Sequence, residues 1–294
     1  MNATIPTVRG HFLPLVSLPL MVLVFASAVP AWVFMWAIAF AIFAGCKWLT
    51  FVIGRERVSE TNILRALGYL FVWPGMDAAG FLKRHANVAE PHINEWLFAA
   101  VKIFFGVTLI CFGARFAMPF NPLLAGWIGM IGIVFILHFG LFHLLSLAWR
   151  TRGVNATPVM QNPLRAVSLA EFWGKRWNTA FHELVQRFTF RPLAKRVGVT
   201  GATLVVFLLS GLVHDICISL PARGGYGLPT GYFLIQGLGV VIEHTTFARR
   251  LGLGRGVRGW LFTLFVTAAP AFWLFHPTFI HNVILPMLRA LGAT

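Results

Sequence analysis

The stretch TGATLVVFLLSGLVHDICISLPA, residues 200–222, decides how the whole chain is interpreted. It is long and apolar enough to cross the hydrocarbon core of a bilayer, which takes roughly 20 residues for about 30 Å. Yet its second half carries His214 and Asp215. A polar side chain in hydrocarbon is costly unless it has a partner, so this pair requires either a structural or a functional explanation.

Composition extends this reading to the rest of the chain. Of the 294 residues, 58% are hydrophobic and only 11% are charged, whereas roughly 25% are charged in a typical soluble domain. We therefore predict an all-α polytopic membrane protein of about eight transmembrane helices, folded as a single integral-membrane domain over residues 1–294. The predicted spans are 12–29, 31–53, 93–117, 122–149, 200–220, 228–247, 258–275 and 277–293.

The net charge of +15 is explained by where the basic residues fall. They follow the second, fourth and sixth predicted spans, while the opposite loops hold little more than Arg223. The positive-inside rule places the basic loops and both termini in the cytoplasm. Topology and attraction to anionic lipid account for this charge, so no nucleic acid partner is predicted. Small inner loops favour a bacterial inner membrane, and the endoplasmic reticulum fits the same charges.

His214 shares a helix face with Ser210 and Gly211, which precede it by four and three residues. Glycine at this position would leave room for a ligand against the backbone. Asp215 points about 100° away from His214 and is expected to face a different neighbour. A histidine that only hydrogen-bonds to another helix is the structural alternative to a functional one.

The segment SLAEFWGKRWNTAFHELVQRF, residues 168–188, begins like a capped helix, because Glu171 follows Ser168 by three residues. Large aromatic residues stand beside two cations there. One interpretation is an interfacial helix with its aromatic residues at headgroup level. The other is a re-entrant piece that inserts Asn178 into a cavity while the cations meet an anion. The residues concerned are Phe172, Trp173, Lys175, Arg176 and Trp177.

No metal or cofactor site is predicted. His138 and His143 are five residues apart and so do not share a helix face. Three cysteines in apolar runs show no paired spacing. The sequence has no P-loop and no dinucleotide fingerprint, which argues against ATP-driven transport and redox enzymology.

Three motifs taken together resemble the wax synthase-like branch of the membrane-bound O-acyltransferase (MBOAT) family. They are YLFVWPGMD at 69–77, SLAEFWGKRWN at 168–178 and LSGLVHD at 209–215. The resemblance implies a helical bundle enclosing a substrate tunnel, with acyl-CoA entering from the cytoplasm. It also implies that His214 is catalytic and that Asn178 is the second active-site residue. Asp215 stands where glutamate is expected, and Lys175 where arginine is expected.

These roles make chemical sense. An alcohol is a weak nucleophile, and a neutral imidazole can act as its general base near neutral pH. Asn178 could donate a hydrogen bond to the developing oxyanion or orient the substrate, and these alternatives stay open. The phosphates of CoA need cations, for which Lys175, Arg176, Arg187 and Arg191 are candidates. The predicted substrate-binding residues are Trp173, Lys175, Arg176, Trp177, Ser210, Gly211 and Asp215.

The predicted function is therefore transfer of a long-chain acyl group from acyl-CoA to a lipophilic alcohol within the lipid bilayer, which gives a wax ester. Diacylglycerol or a sterol is the alternative acceptor, because such motifs report the chemistry and not the acceptor. A proton-coupled transporter or lipid-binding membrane protein, with His214 and Asp215 in its path, is the alternative of another class. A purely structural role for His214 is the third.

Overall fold

The computed structural model describes residues 8–58, 61–83 and 87–293, except for the side chains of Val8, Arg9 and Glu183. Every regular element within these ranges is helical. The helices are α1 (Gly10–Val24), α2 (Ala31–Arg55), α3 (Ile63–Val72), α4 (Ala78–Leu82), α5 (Ile93–Ala117), α6 (Pro122–Arg150), α7 (residues 169–176), α8 (Ala180–Ala222), α9 (Leu228–Glu243), α10 (Thr246–Arg250), α11 (Gly256–Leu274) and α12 (residues 277–290).

Five helices in the described part of the chain are long and apolar enough to cross a membrane, namely α2, α5, α6, α8 and α11. The expectation of about eight spans was too high by this measure. Predicted spans 12–29 and 228–247 became the shorter helices α1 and α9. The last predicted span, 277–293, became α12. The chain is thus an all-helical integral membrane protein with several shorter apolar helices beside its long ones.

Local sequence explains why some apolar runs became short helices. Helix α9 follows Gly227, whose φ of 82° is left-handed, and Thr245 already caps the next helix. Its 16 residues rise about 24 Å, which is less than a hydrocarbon core of about 30 Å. Helix α12 starts at Pro277 and contains Pro286, so its hydrogen-bonding pattern is interrupted.

Helix α8 carries the decisive stretch and is interrupted in two ways. Gly198 has φ 73° and ψ 171°, so the helix bends sharply there. This break agrees with the predicted start of the apolar span near residue 200. A wide π-helical turn, Asp215–Ser219, begins immediately after His214. Similar π-helical segments interrupt α3, α5, α6, α7 and α12.

Helix α9 packs closely along α8. Gly211 on α8 and Gly237 on α9 permit the approach, because a Cβ at either position would collide with the facing helix. The main core lies where these helices meet α2, α6 and α12, with Met35, Met130 and Phe233 among its buried members. Two further clusters surround the 69–77 motif and Trp177.

The predicted cytoplasmic location of both termini concerns Met1 and Thr294. These residues lie outside the described ranges.

Candidate active site

His214 lies at the end of the regular part of α8, and its ring is half-buried. Its Nδ1 lies 2.7 Å from the backbone carbonyl oxygen of Ser210. Because a carbonyl only accepts hydrogen bonds, Nδ1 of the neutral ring carries the hydrogen. Nε2 therefore keeps its lone pair, which is the form that a general base requires.

Phe233 joins His214 to the 168–178 motif. The His214 and Phe233 ring centroids are 4.3 Å apart. Trp173 also contacts Phe233, with its centroid 5.5 Å from that of Phe233 and 5.9 Å from that of Phe207. Its indole Nε1 donates to Oε1 of Gln236 at 3.3 Å. The structure thus brings together two motifs that are separated by some 30 residues of chain. Sequence analysis missed Phe233 and Gln236.

The start of α7 is held by two carboxylates. The Ser168 hydroxyl accepts from Glu171 N at 3.0 Å, which confirms the predicted cap. The Glu171 carboxylate accepts from Val167 N at 2.9 Å. In a capping box this bond would come from the backbone N–H of Ser168, and here it comes from the residue before it. Glu243, at the end of α9, accepts from the backbone N–H groups of Leu169 and Ala170 at 2.7 and 2.8 Å. A buried glutamate thus caps α7 from another helix, which sequence analysis did not identify.

The two cations of the motif differ in their surroundings. Arg176 forms an ion pair with Glu171 at 2.6 Å and also donates to the carbonyl oxygens of Gln161 and Asn162. Burial raises the pKa of the Glu171 carboxyl, but hydrogen bonds from Val167 and Arg176 outweigh this, and the net pKa is lowered. Lys175 is exposed and takes no part in the ion pairs of the described residues.

Asn178 follows α7 in a left-handed backbone conformation, with φ 45°. Asparagine tolerates this conformation better than most residues. Its backbone N–H donates to the sulfur of Met160 at 3.2 Å. Its side-chain amide has no hydrogen bond to any residue that the structure describes, and its half-buried position leaves it available to a ligand. Trp177 stacks on Phe172 at 5.6 Å, which fixes the turn that carries Asn178.

Two predicted substrate-binding residues on α8 are engaged in packing. A Cβ added to Gly211 would lie 2.6 Å from Cα of Thr230, so α9 fills the space that was expected to receive a ligand. The Asp215 carboxylate accepts from Ser219 Oγ and Gly227 N, both at 2.8 Å, and from the backbone and hydroxyl of Thr230. Asp215 thus caps the start of α9 and, as predicted, faces a different neighbour from His214.

Ser210 is half-buried one turn before His214. The His214 ring bonds its backbone carbonyl and not its hydroxyl. Ser210 and His214 therefore share a helix face, as predicted, but His214 contacts the main-chain carbonyl of Ser210 and not its side chain.

The 69–77 motif surrounds a buried lysine that sequence analysis also missed. Lys47 on α2 is 1% exposed. Its Nζ lies 3.2 Å from the centroid of the Tyr69 ring and donates to the carbonyl of Gly75. The Tyr69 hydroxyl is 2.7 Å from Thr50 Oγ1. A lysine in the apolar run of α2 is the signal that could have predicted this contact.

Within the described ranges, no group of three or more His, Cys, Asp or Glu side chains gathers in a way that could hold a metal ion. His138 and His143 both lie on α6.

Comparison with known proteins places these residues in a family context. Residues 156–235 match the model of the "Membrane bound O-acyl transferase family", and this range includes both Asn178 and His214. A long-chain-alcohol O-fatty-acyltransferase of Simmondsia chinensis is 28% identical over 210 residues, covering 64% of this chain and 57% of that protein.

Two proteins of Arabidopsis thaliana are also similar. Probable long-chain-alcohol O-fatty-acyltransferase 7 is 30% identical over 146 residues, covering 44% of this chain and 42% of that protein. Probable long-chain-alcohol O-fatty-acyltransferase 2 is 32% identical over 142 residues, covering 44% and 41%. The chain therefore spans about half the length of these curated relatives. Over the matched part of the chain, the motifs and these similarities agree in their resemblance to the membrane bound O-acyl transferase family.

Proposed function

We propose that the protein is an acyl-CoA-dependent O-acyltransferase that esterifies a lipophilic alcohol, with His214 as the general base. The observation that carries this proposal is the bond from His214 Nδ1 to the Ser210 carbonyl, which leaves Nε2 as a lone-pair donor beside an aromatic wall. The names of the relatives, all long-chain-alcohol O-fatty-acyltransferases, support the substrate class.

In the proposed reaction, the alcohol oxygen attacks the thioester carbonyl carbon while Nε2 of His214 takes the hydroxyl proton. A tetrahedral oxyanion forms and then collapses, so that the carbon–sulfur bond breaks and the ester is released. The imidazolium returns its proton to the departing CoA thiolate, and the free thiol and the neutral histidine are restored. In this proposal the site excludes water, which would otherwise hydrolyse the thioester.

Asn178 is the proposed second active-site residue. Its side-chain amide has no hydrogen bond within the described ranges, so it is available to donate to the oxyanion or to orient the acyl group. Its turn is fixed by Trp177, and Trp173 connects the same motif to the His214 wall through Phe233. We propose that this constellation lines a tunnel through the helical bundle.

The CoA phosphates require cations at the mouth of such a tunnel. Lys175 is the better candidate within the motif, because Arg176 already pairs with Glu171. Arg187 and Arg191 are exposed on the same stretch of chain and are further candidates. Under the positive-inside rule, this mouth would face the cytoplasm. We propose the bacterial inner membrane as its location, with the endoplasmic reticulum as the alternative.

A wax ester is the proposed product, with diacylglycerol and sterol esters as the alternatives. The test is to incubate purified protein in nanodiscs with labelled palmitoyl-CoA and hexadecanol, diacylglycerol, a sterol or no acceptor. We expect an ester of hexadecanol, with its formation lost in a folded His214→Ala variant. An ester formed equally well by His214→Ala would overturn the assignment of the base, and preference for another acceptor would replace the proposed product.

A further inference from the structure

A cavity is lined by the last residues of α8, which follow the Asp215–Ser219 turn. Its volume is about 690 Å³, which falls within the roughly 300–1,000 Å³ typical of small-molecule sites. It is formed where the last turn of α8 meets the α1–α2 connection and α12. None of the motifs described above contributes a side chain to its lining.

Four residues with polar side chains that can donate hydrogen bonds line this cavity, namely Arg223, Tyr226, His281 and Asn282. Asn282 Nδ2 donates to the Ala222 carbonyl at 2.9 Å, which ties α12 to the end of α8 and leaves the amide oxygen available. Arg223 is exposed and makes no side-chain hydrogen bond or ion pair with the residues that the structure describes.

The backbone of Arg223 gives a second, independent observation. Its φ is 54°, in the left-handed region that favours glycine at the end of a helix. An arginine at this position is strained relative to glycine, and strained residues cluster at ligand-binding sites. Two hydrogen bonds hold the following loop in place, from Gly224 N to the Ser219 carbonyl at 3.2 Å and from Gly227 N to Asp215 at 2.8 Å. These bonds fix the loop that carries Arg223 and Tyr226.

The other lining residues are mainly apolar. Leu23 from α1 and Phe34 from α2 line the same cavity as the four polar residues, together with the small residues of the α1–α2 connection. An apolar wall beside an unpaired guanidinium, a phenol and an imidazole matches a molecule with an anionic head and an alkyl chain. Charge-assisted hydrogen bonds from arginine to carboxylate or phosphate are short and strong.

We propose that this cavity binds a single-chain anionic amphiphile, with its carboxylate or phosphate on Arg223 and its chain against Leu23 and Phe34. A free long-chain fatty acid and a lysophospholipid offer the same chemistry. The proposal does not depend on acyl transfer at His214, because no residue of that site lines the cavity.

The test uses the full-length protein in phosphatidylcholine nanodiscs with a photoreactive palmitate analogue, followed by mass-spectrometric mapping of the labelled residues. Palmitate, lysophosphatidate and hexadecanol compete in separate arms. We expect labelling of the cavity lining and competition by at least one of the two anions, and the more effective anion identifies the natural class. Equal competition by hexadecanol, or no labelling of the lining, would overturn the proposal.

Two variants complete the design. Arg223→Gly removes the guanidinium and relieves the left-handed strain, so we expect labelling to fall at least about tenfold while thermal stability is unchanged or raised. Arg289→Gln, which alters an exposed arginine outside the cavity lining, should label like the wild type. Undiminished labelling of Arg223→Gly, or an equal loss in Arg289→Gln, would contradict the assignment.

Discussion

Replacing Gly211 by alanine tests whether this glycine serves helix packing or leaves room for a ligand. The added Cβ would lie 2.6 Å from Cα of Thr230, about 0.8 Å inside the 3.4 Å at which ordinary contact begins. The obstructing atom is backbone, so no side chain can rotate away. Thr230 also donates to Asp215, and moving α9 outward would therefore strain the cap of that helix.

Overpacking of this kind costs about 1–3 kcal/mol. At about 2–4 °C of Tm per kcal/mol, the melting temperature of Gly211→Ala in detergent should fall by roughly 2–12 °C. Gly10→Ala is the matched control, since a Cβ at Gly10 meets no atom within 4 Å, and its Tm should stay near that of the wild type. An unchanged Tm in Gly211→Ala, combined with weaker palmitoyl-CoA binding, would refute the packing argument and restore the ligand-room interpretation.

Three further predictions concern contacts that hold the motifs in place. Tyr69→Leu removes the ring that contacts the buried Lys47 Nζ and should lower Tm more than Tyr69→Phe, which loses only the hydroxyl. A larger effect of Tyr69→Phe would contradict the importance assigned to the ring contact. Glu243→Ala leaves two helix-starting N–H groups without their acceptor and should cost about 1–3 kcal/mol per unsatisfied group, with a smaller loss in Glu243→Gln; equal Tm values for the two variants would argue against the cap. The pKa of Glu171 is lowered by its hydrogen bonds, so its pairing with Arg176 stabilises the fold above the ordinary carboxyl value of 4.5 and is lost as the pH falls through the lowered pKa. The Tm difference between wild type and Arg176→Gln should therefore be full at pH 7 and shrink well below pH 4.5, and a difference that grew on acidification would refute the ion pair.

The sequence predicted those features that depend on neighbouring residues. The Ser168 cap and the different directions of His214 and Asp215 follow from local spacing and are present in the structure, and the predicted start of the span at residue 200 agrees with the break at Gly198. The number of long spans was overestimated because hydropathy alone does not register where Thr245 starts a new helix or where Pro286 interrupts one.

Contacts between distant parts of the chain could not be predicted in this way. Gln236 meets Trp173 across 63 residues, and Glu243 reaches Leu169 across 74. Local periodicity contains no information about which helices face each other, so the partners of these buried polar groups stayed unknown. Their presence in an apolar helix was nonetheless a usable signal, because polar groups at that depth require partners. The same holds for Lys47 on α2.

The substrate-binding roles predicted for Gly211 and Asp215 show the same limit, because sequence does not reveal which helix each side chain faces. Both stand beside the proposed base in the chain, which suggested contact with substrate. The neighbouring helix α9 occupies the space against Gly211 and saturates the Asp215 carboxylate with hydrogen bonds. Adjacent residues on a helix point in different directions, so proximity in sequence to His214 does not place a side chain in its site.

The central claim, that His214 is the general base for acyl transfer, is tested most directly by comparing His214→Ala with His244→Ala. Both histidines bond Nδ1 to the carbonyl four residues earlier at 2.7 Å, but His244 is exposed and lies outside the proposed site. Ester formation from labelled palmitoyl-CoA and hexadecanol is measured for each variant, with Tm as the measure of folding. The account predicts near-complete loss in folded His214→Ala and wild-type rates in His244→Ala. Wild-type rates in His214→Ala would contradict it.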